Sequence, residues 1–157
     1  MTDELSVRPY QSSDAAALSA LYEASVRSLG ARDYAPAQIE AWAALAPSPA
    51  DLDRRMADGR IRLVAVIEDV AGFIDMEADG HIDLLYVAPA AAGSGVARIL
   101  LETAEALAPL SGARRLYAEA SETARPVFER LGFSVIGRRD FEVAGVPIHN
   151  WAVEKAL

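Results

Sequence analysis

The stretch from Gly80 to Leu101 most narrows what this chain can fold into. It reads Gly-His-Ile-Asp-Leu-Leu-Tyr-Val-Ala-Pro, then Ala-Ala-Ala-Gly-Ser-Gly-Val-Ala, then Arg-Ile-Leu-Leu. The pattern predicts a buried strand over 81–87 stopped by Pro89, a loop of small residues, and an apolar helix over 96–107. The start of such a helix offers free backbone N–H groups and the positive end of the helix dipole, a place for an anion and typically a phosphate. Gly93 and Gly95 lack a Cβ and let the loop approach a ligand closely. The loop has no Gly-Lys-[Ser/Thr], so it is not a P-loop, and it lacks the third glycine of a dinucleotide fingerprint.

The flanking chain alternates between helix and strand signals. Leu5 to Arg8 predicts a strand, and Ser12 or Ser13 with Asp14 is expected to cap a helix that stops at Gly30. Helices are predicted from Pro36 and from Pro49 to Ala57, each with proline in its first turn. Strands follow over 61–67 and 71–77, and Asp79-Gly80 signals a hairpin into 81–87. A strand over 114–120, a helix over 123–131 and strand pieces over 133–136, 138–143 and 148–154 complete the pattern. The whole, residues 1–157, reads as one α/β domain with no repeat or linker.

With 157 residues, 52% of them hydrophobic, the chain can bury a sizeable core. Cysteine is absent, which removes disulfides, thiolate metal ligands and a cysteine nucleophile. The formal net charge of −8 opposes non-specific attraction to nucleic acid or an anionic membrane and favours an amine-bearing substrate. No apolar run reaches the roughly 20 residues of a membrane span. The acidic opening Met1-Thr2-Asp3-Glu4 lacks a signal-peptide layout, so a cytoplasmic location is expected.

The register of Val87 and Pro89, then Ala92-Gly93-Ser94-Gly95-Val96-Ala97, then Ile99-Leu100-Leu101, resembles motif A of the GNAT acyltransferases. A second signature of that family, ending in Gly-Phe, is matched by Ala124 to Phe133. Together the two motifs and the elements around them cover nearly the whole chain. The resemblance implies a GNAT fold, a mixed, mostly antiparallel twisted sheet of six to seven strands flanked by helices. It implies acetyl-CoA as co-substrate, with no metal. The pyrophosphate would lie on the N–H groups of Gly93, Ser94, Gly95, Val96 and Ala97, and the pantetheine arm would pair with the backbone of Leu85, Tyr86 and Val87. Arg98 could meet a phosphate, and Ser121 could cap a helix or hydrogen-bond the pantetheine. Two positions depart from the family pattern: Ala92 replaces a Gln or Arg, and Phe128 replaces a Tyr that often serves as general acid.

The implied activity is acetylation of an amine, on a small molecule or peptide, by direct attack in a ternary complex. Such attack needs a base. The family often places a carboxylate early on the strand before motif A. Counted back from Val87 at period two, Leu85, Asp83 and His81 share one face. His81 falls at that position, with Asp83 to orient it or to act itself if buried; the alternative for Asp83 is a buried ion pair with an arginine. Glu119, an acid in an apolar strand, could line the same cleft. Tyr22, Tyr34 and Asn150 are candidates for the acceptor pocket, whereas Trp42 is expected in the core. A homodimer is possible. The alternative from another class is a non-catalytic acyl-CoA-binding or sensor module on the same scaffold, which Ala92 and Phe128 would favour.

Overall fold

The computed structural model describes residues 4–157. Strand β1 (Ser6–Pro9) precedes three helices, α1 (Ala15–Leu29), α2 (Pro36–Ala43) and α3 (Pro49–Arg55). Strands β2 (Ile61–Ile67), β3 (Asp69–Met76) and β4 (His81–Val87) follow as antiparallel neighbours. Helix α4 (Val96–Leu107), strand β5 (Arg115–Ala120), helix α5 (Arg125–Arg130) and the hairpin of β6 (Ser134–Val143) and β7 (Val146–Ala156) complete the chain. The sheet order is β1-β2-β3-β4-β5-β7-β6.

Local chemistry accounts for most boundaries. Ser48 accepts the Asp51 N–H at 3.1 Å and Pro49 opens α3, as its sequence predicts. The start of α1 differs from expectation. Neither Ser12 nor Ser13 caps it; a 3₁₀ turn over Ser12–Asp14 leads in, and Asp14 accepts the Gln11 N–H at 2.8 Å while pairing with Arg8 at 2.7 Å. The two pieces expected over 133–136 and 138–143 are one strand, with an irregularity between Val135 and Gly137 that keeps it paired to β7.

The sheet separates two apolar layers. Helices α4 and α5 cover one face over Ile74, Leu100, Leu116 and Phe128, and α1 to α3 cover the other over Leu18, Leu52, Phe73 and Leu84. One glycine sets the height of α4 above the sheet. A Cβ on Gly72 would lie 2.6 Å from the Val96 side chain and 2.9 Å from the Tyr86 carbonyl oxygen. The first turn of α4 therefore sits directly on β3.

The pairing of β4 with β5 organises everything that follows. These strands run parallel, and their register holds only for His81 with Tyr117 and Ile82 with Ala118. Gly80 makes this junction possible: its φ is +97°, and a Cβ there would sit 1.9 Å from the Arg115 carbonyl oxygen. Beyond Ile82 the two strands part, and the sheet opens into a wedge.

Strand β4 also carries a bulge that overturns the face assignment made from its sequence. Asp75 stands opposite Leu84 while Met76 stands opposite Ile82, so Asp83 is the extra residue. Ile82, not Asp83, packs with Leu85 and Val87 in the α4 layer. A strict period of two cannot anticipate this phase change.

Candidate active site

A cavity of about 350 Å³ occupies the wedge and spreads under α1 and α2. On the α4 side it is lined by Leu85, Val87, Ala97, Ser121, Val127 and Phe128. Gly93 and Gly95 lead into α4 with φ of +79° and +85°, and nothing lies within 4 Å of where a Cβ would be on either. Both therefore need the left-handed backbone and leave open space above the helix start. Ser94 donates to the Ala91 carbonyl, Ala92 donates its N–H to Pro89 at 3.3 Å, and Val96 is buried against the sheet. Arg98 projects outward and pairs with Glu102 at 2.8 Å. Ser121 accepts the Ala124 N–H at 3.0 Å, closing the turn that precedes α5 without being the residue that caps it, and it lines the cavity. Phe128 is 2% exposed and meets Phe133 edge-on, so no hydroxyl stands at that position.

At the apex, where β4 and β5 part, acids and bases interlock. Asp83 is not buried, contrary to one expectation; it lines the cavity and pairs with Arg60 at 2.9 Å, which is the ion-pair alternative. Arg60 also pairs with Asp58 at 2.8 Å. Behind it, Arg62 and Asp75 form a buried pair at 2.8 Å, with Asp75 Oδ1 left without a partner. Burial pushes the Asp75 carboxyl up despite the arginines. Arg62 and Asp75 each interrupt an apolar strand, a charge among hydrophobic neighbours that is visible in the sequence.

His81 does not line the cavity. Its Nδ1 lies 2.7 Å from Glu77 and its Nε2 2.7 Å from Glu119, with the ring stacked near Tyr117. Burial works against its charge, but the bonds to Glu77 and Glu119 outweigh this and raise its pKa above the ordinary imidazole value. Both ring nitrogens of His81 face carboxylates, so the ring is engaged on each side instead of standing open to the cavity as the expected role of base would need. Glu119 reaches the cavity as expected and holds His81 from there. Asp83 makes no hydrogen bond to His81 among the described residues, although a carboxylate oxygen of Asp83 lies within 4.8 Å of a His81 ring nitrogen.

The other half of the cavity is built by side chains from distant segments. Tyr22 stacks on Tyr86 at 4.2 Å between centroids, and the Trp42 indole N–H donates to the Tyr86 hydroxyl at 3.3 Å. Trp42 packs against the core, as expected, and also lines this chamber. Tyr34 lines it too, but its hydroxyl is engaged on both sides: it donates to the His149 carbonyl at 2.8 Å and accepts the Glu122 N–H at 2.8 Å. Asn150 accepts from Arg139 at 2.9 Å.

A second histidine is placed very differently from the first. Glu122 accepts from Trp151 at 2.5 Å, from His149 Nε2 at 2.8 Å and from Arg125 at 2.9 Å. These bonds from Trp151 and His149 hold the Glu122 carboxyl below its ordinary value. Because the carboxylate accepts from Nε2, neutral His149 carries its lone pair on Nδ1, which has no protein partner among the described residues. Glu122 was missed in the sequence because its partners lie 27 and 29 positions away.

The wedge and loop can be set against known proteins. Residues 30–155 match the family model described as an acetyltransferase (GNAT) domain. A GCN5-related N-acetyltransferase from Rhodopseudomonas palustris superposes with a TM-score of 0.90 at 33% identity, covering 100% of this chain and 98% of that one. The uncharacterized N-acetyltransferase YafP of Escherichia coli is 29% identical over 149 residues, 95% of this chain and 94% of YafP. The PaiA N-acetyltransferase of Thermoplasma acidophilum, solved with coenzyme A, shares the fold at a TM-score of 0.78 and 19% identity, over 98% and 99% of the two chains. The chain therefore belongs to the GNAT family of N-acetyltransferases.

Proposed function

We propose that the protein moves the acetyl group of acetyl-CoA onto a primary amine by direct attack, with both substrates in the cavity together. The observation that carries this reading is the parting of β4 from β5 after Ile82, beside a helix start with unobstructed Gly93 and Gly95. The β5-facing edge of Asp83 to Val87 is left without a strand, and an extended chain bearing amides can fill it. The pyrophosphate then rests on the N–H groups of Gly93 to Ala97. PaiA, solved with coenzyme A, shares this fold.

Acetyl-CoA supplies an activated acyl group as a thioester. The ammonium first gives a proton to a base, the freed amine nitrogen bonds to the acyl carbon, the carbon–sulfur bond breaks, and the nitrogen sheds its second proton to solvent as the amide forms. Asp83 fills that role through a water, since it stands where the wedge opens and has one oxygen uncommitted to Arg60. A second reading assigns the proton to His149, because its Nδ1 is free while Glu122 fixes the ring. Phe128 has no proton to give, so the departing thiolate takes one from solvent.

The test is an incubation of the protein with acetyl-CoA and a mixed amine library, reading thiol release and product mass. Matched release of thiol and acetylated amine is expected. Saturable acetyl-CoA binding with no thiol released would replace this reading with that of an acyl-CoA-binding module.

A further inference from the structure

The acceptor half of the cavity has a composition that narrows the amine. Its walls are Leu29, Trp42, Leu45, Phe141, Val143 and Ile148, and its acids, Asp83 and Glu119, stand together at the apex. Among the described residues, neither lysine nor arginine lines it. Of the arginines near it, Arg60 pairs with Asp58 and Asp83 and Arg125 with Glu122, while Arg139, outside the lining, lies over Phe141 and donates to the Asn150 side-chain oxygen.

We infer that the acceptor is a primary monoamine carried on an apolar body with no anionic group. This rests on the acetyl-transfer reading above. Charge complementarity puts the ammonium at the acidic apex, where the sheet opens toward the thioester, and the body against the aliphatic and aromatic wall. A carboxylate or phosphonate on the same molecule would enter a chamber lined by no lysine or arginine, whose one lining imidazole, His149, is already held by Glu122, and would lose its hydration without a free cationic partner. A second ammonium, as in a polyamine, would face Leu29, Val143 and Ile148 with no acid to receive it. Amino acids and polyamines are thus disfavoured for the same reason, an unmatched charge. When the monoamine reacts, its ammonium first gives a proton to the apical base, the freed nitrogen forms the bond to the acyl carbon, the thiolate leaves and takes a proton from solvent, and the second nitrogen proton passes to solvent as the amide forms.

Two matched pairs of compounds test this at saturating acetyl-CoA, with thiol release and product mass as readouts. The first is 2-phenylethylamine against L-phenylalanine, which differ by one carboxylate. The second is hexylamine against 1,6-diaminohexane, which differ by one ammonium. In each pair kcat/KM is expected to favour the uncharged body by at least about tenfold. Equal or reversed preference in either pair, or acetylation of none of the four compounds, would overturn the inference. Calorimetry of acetyl-CoA run alongside separates the two levels: absent cofactor binding sinks the acetyl-transfer reading itself, and the inference with it. The substitution Leu45→Arg brings a cation to the chamber rim at a residue 55% exposed. It should narrow the phenylethylamine-to-phenylalanine ratio at least about threefold. An unchanged ratio would contradict the proposal that a missing cation sets the preference.

Discussion

The two halves of the cavity are made of different material. The side we propose for the cofactor consists largely of backbone: an unpaired strand edge, a helix start and glycines that keep space open. The acceptor side consists of side chains from α1, α2, β6 and β7, locked by contacts between residues far apart in sequence. Backbone sites tolerate changes such as Ala92, because the donors belong to the main chain. Side-chain sites do not, and on the proposed reading they set the substrate preference.

Breaking this contrast is simplest at Asp83. Asp83→Asn should lower kcat by about 10²–10⁴-fold while the affinity for acetyl-CoA stays unchanged. If that variant keeps its rate and His149→Gln loses it, the proton belongs to His149. Gly72→Ala attacks the backbone half from beneath. It forces α4 off the sheet at Val96, at a cost of about 1–3 kcal/mol in stability, and should weaken acetyl-CoA binding more than amine binding. Thermal unfolding and calorimetry separate these effects.

Tyr34→Phe makes the opposite cut. It strands the Glu122 N–H and the His149 carbonyl, costs about 1–3 kcal/mol, and should raise the amine KM while sparing acetyl-CoA affinity. The smallest expected effect concerns His81. Its folded pKa is raised by Glu77 and Glu119, so protonation favours the fold. That stabilisation is complete below the unfolded value of about 6.5, while both glutamates stay ionised, and is lost as pH rises through the folded value. His81→Gln should flatten this dependence by about 1 kcal/mol or less, because Glu77 and Glu119 are partly solvated. Chemical denaturation at pH 6 and pH 8 reads the difference.

The contrast also explains what could be read in advance. The span of β4, the loop and α4 was legible because Gly80, Pro89, Gly93 and Gly95 punctuate it within a few residues, and the strand and helix limits at 81–87 and 96–107 agree with expectation. The bulge at Asp83 was not, since it depends on how β3 pairs with β4. Arg60 reaches Asp83 across 23 positions, and Tyr34 reaches His149 across 115. No local pattern encodes such contacts. His81 illustrates the cost: an imidazole at a plausible position is held by Glu77 and Glu119, which only the folded sheet brings to it.

The central claim is that acetyl-CoA occupies the wedge between β4 and β5. Amide hydrogen exchange with and without saturating acetyl-CoA, on the protein as it stands, tests it most directly. Slowed exchange concentrated in Asp83 to Val87 and Gly93 to Arg98 is the predicted result. Saturable binding that leaves both segments unprotected would contradict it.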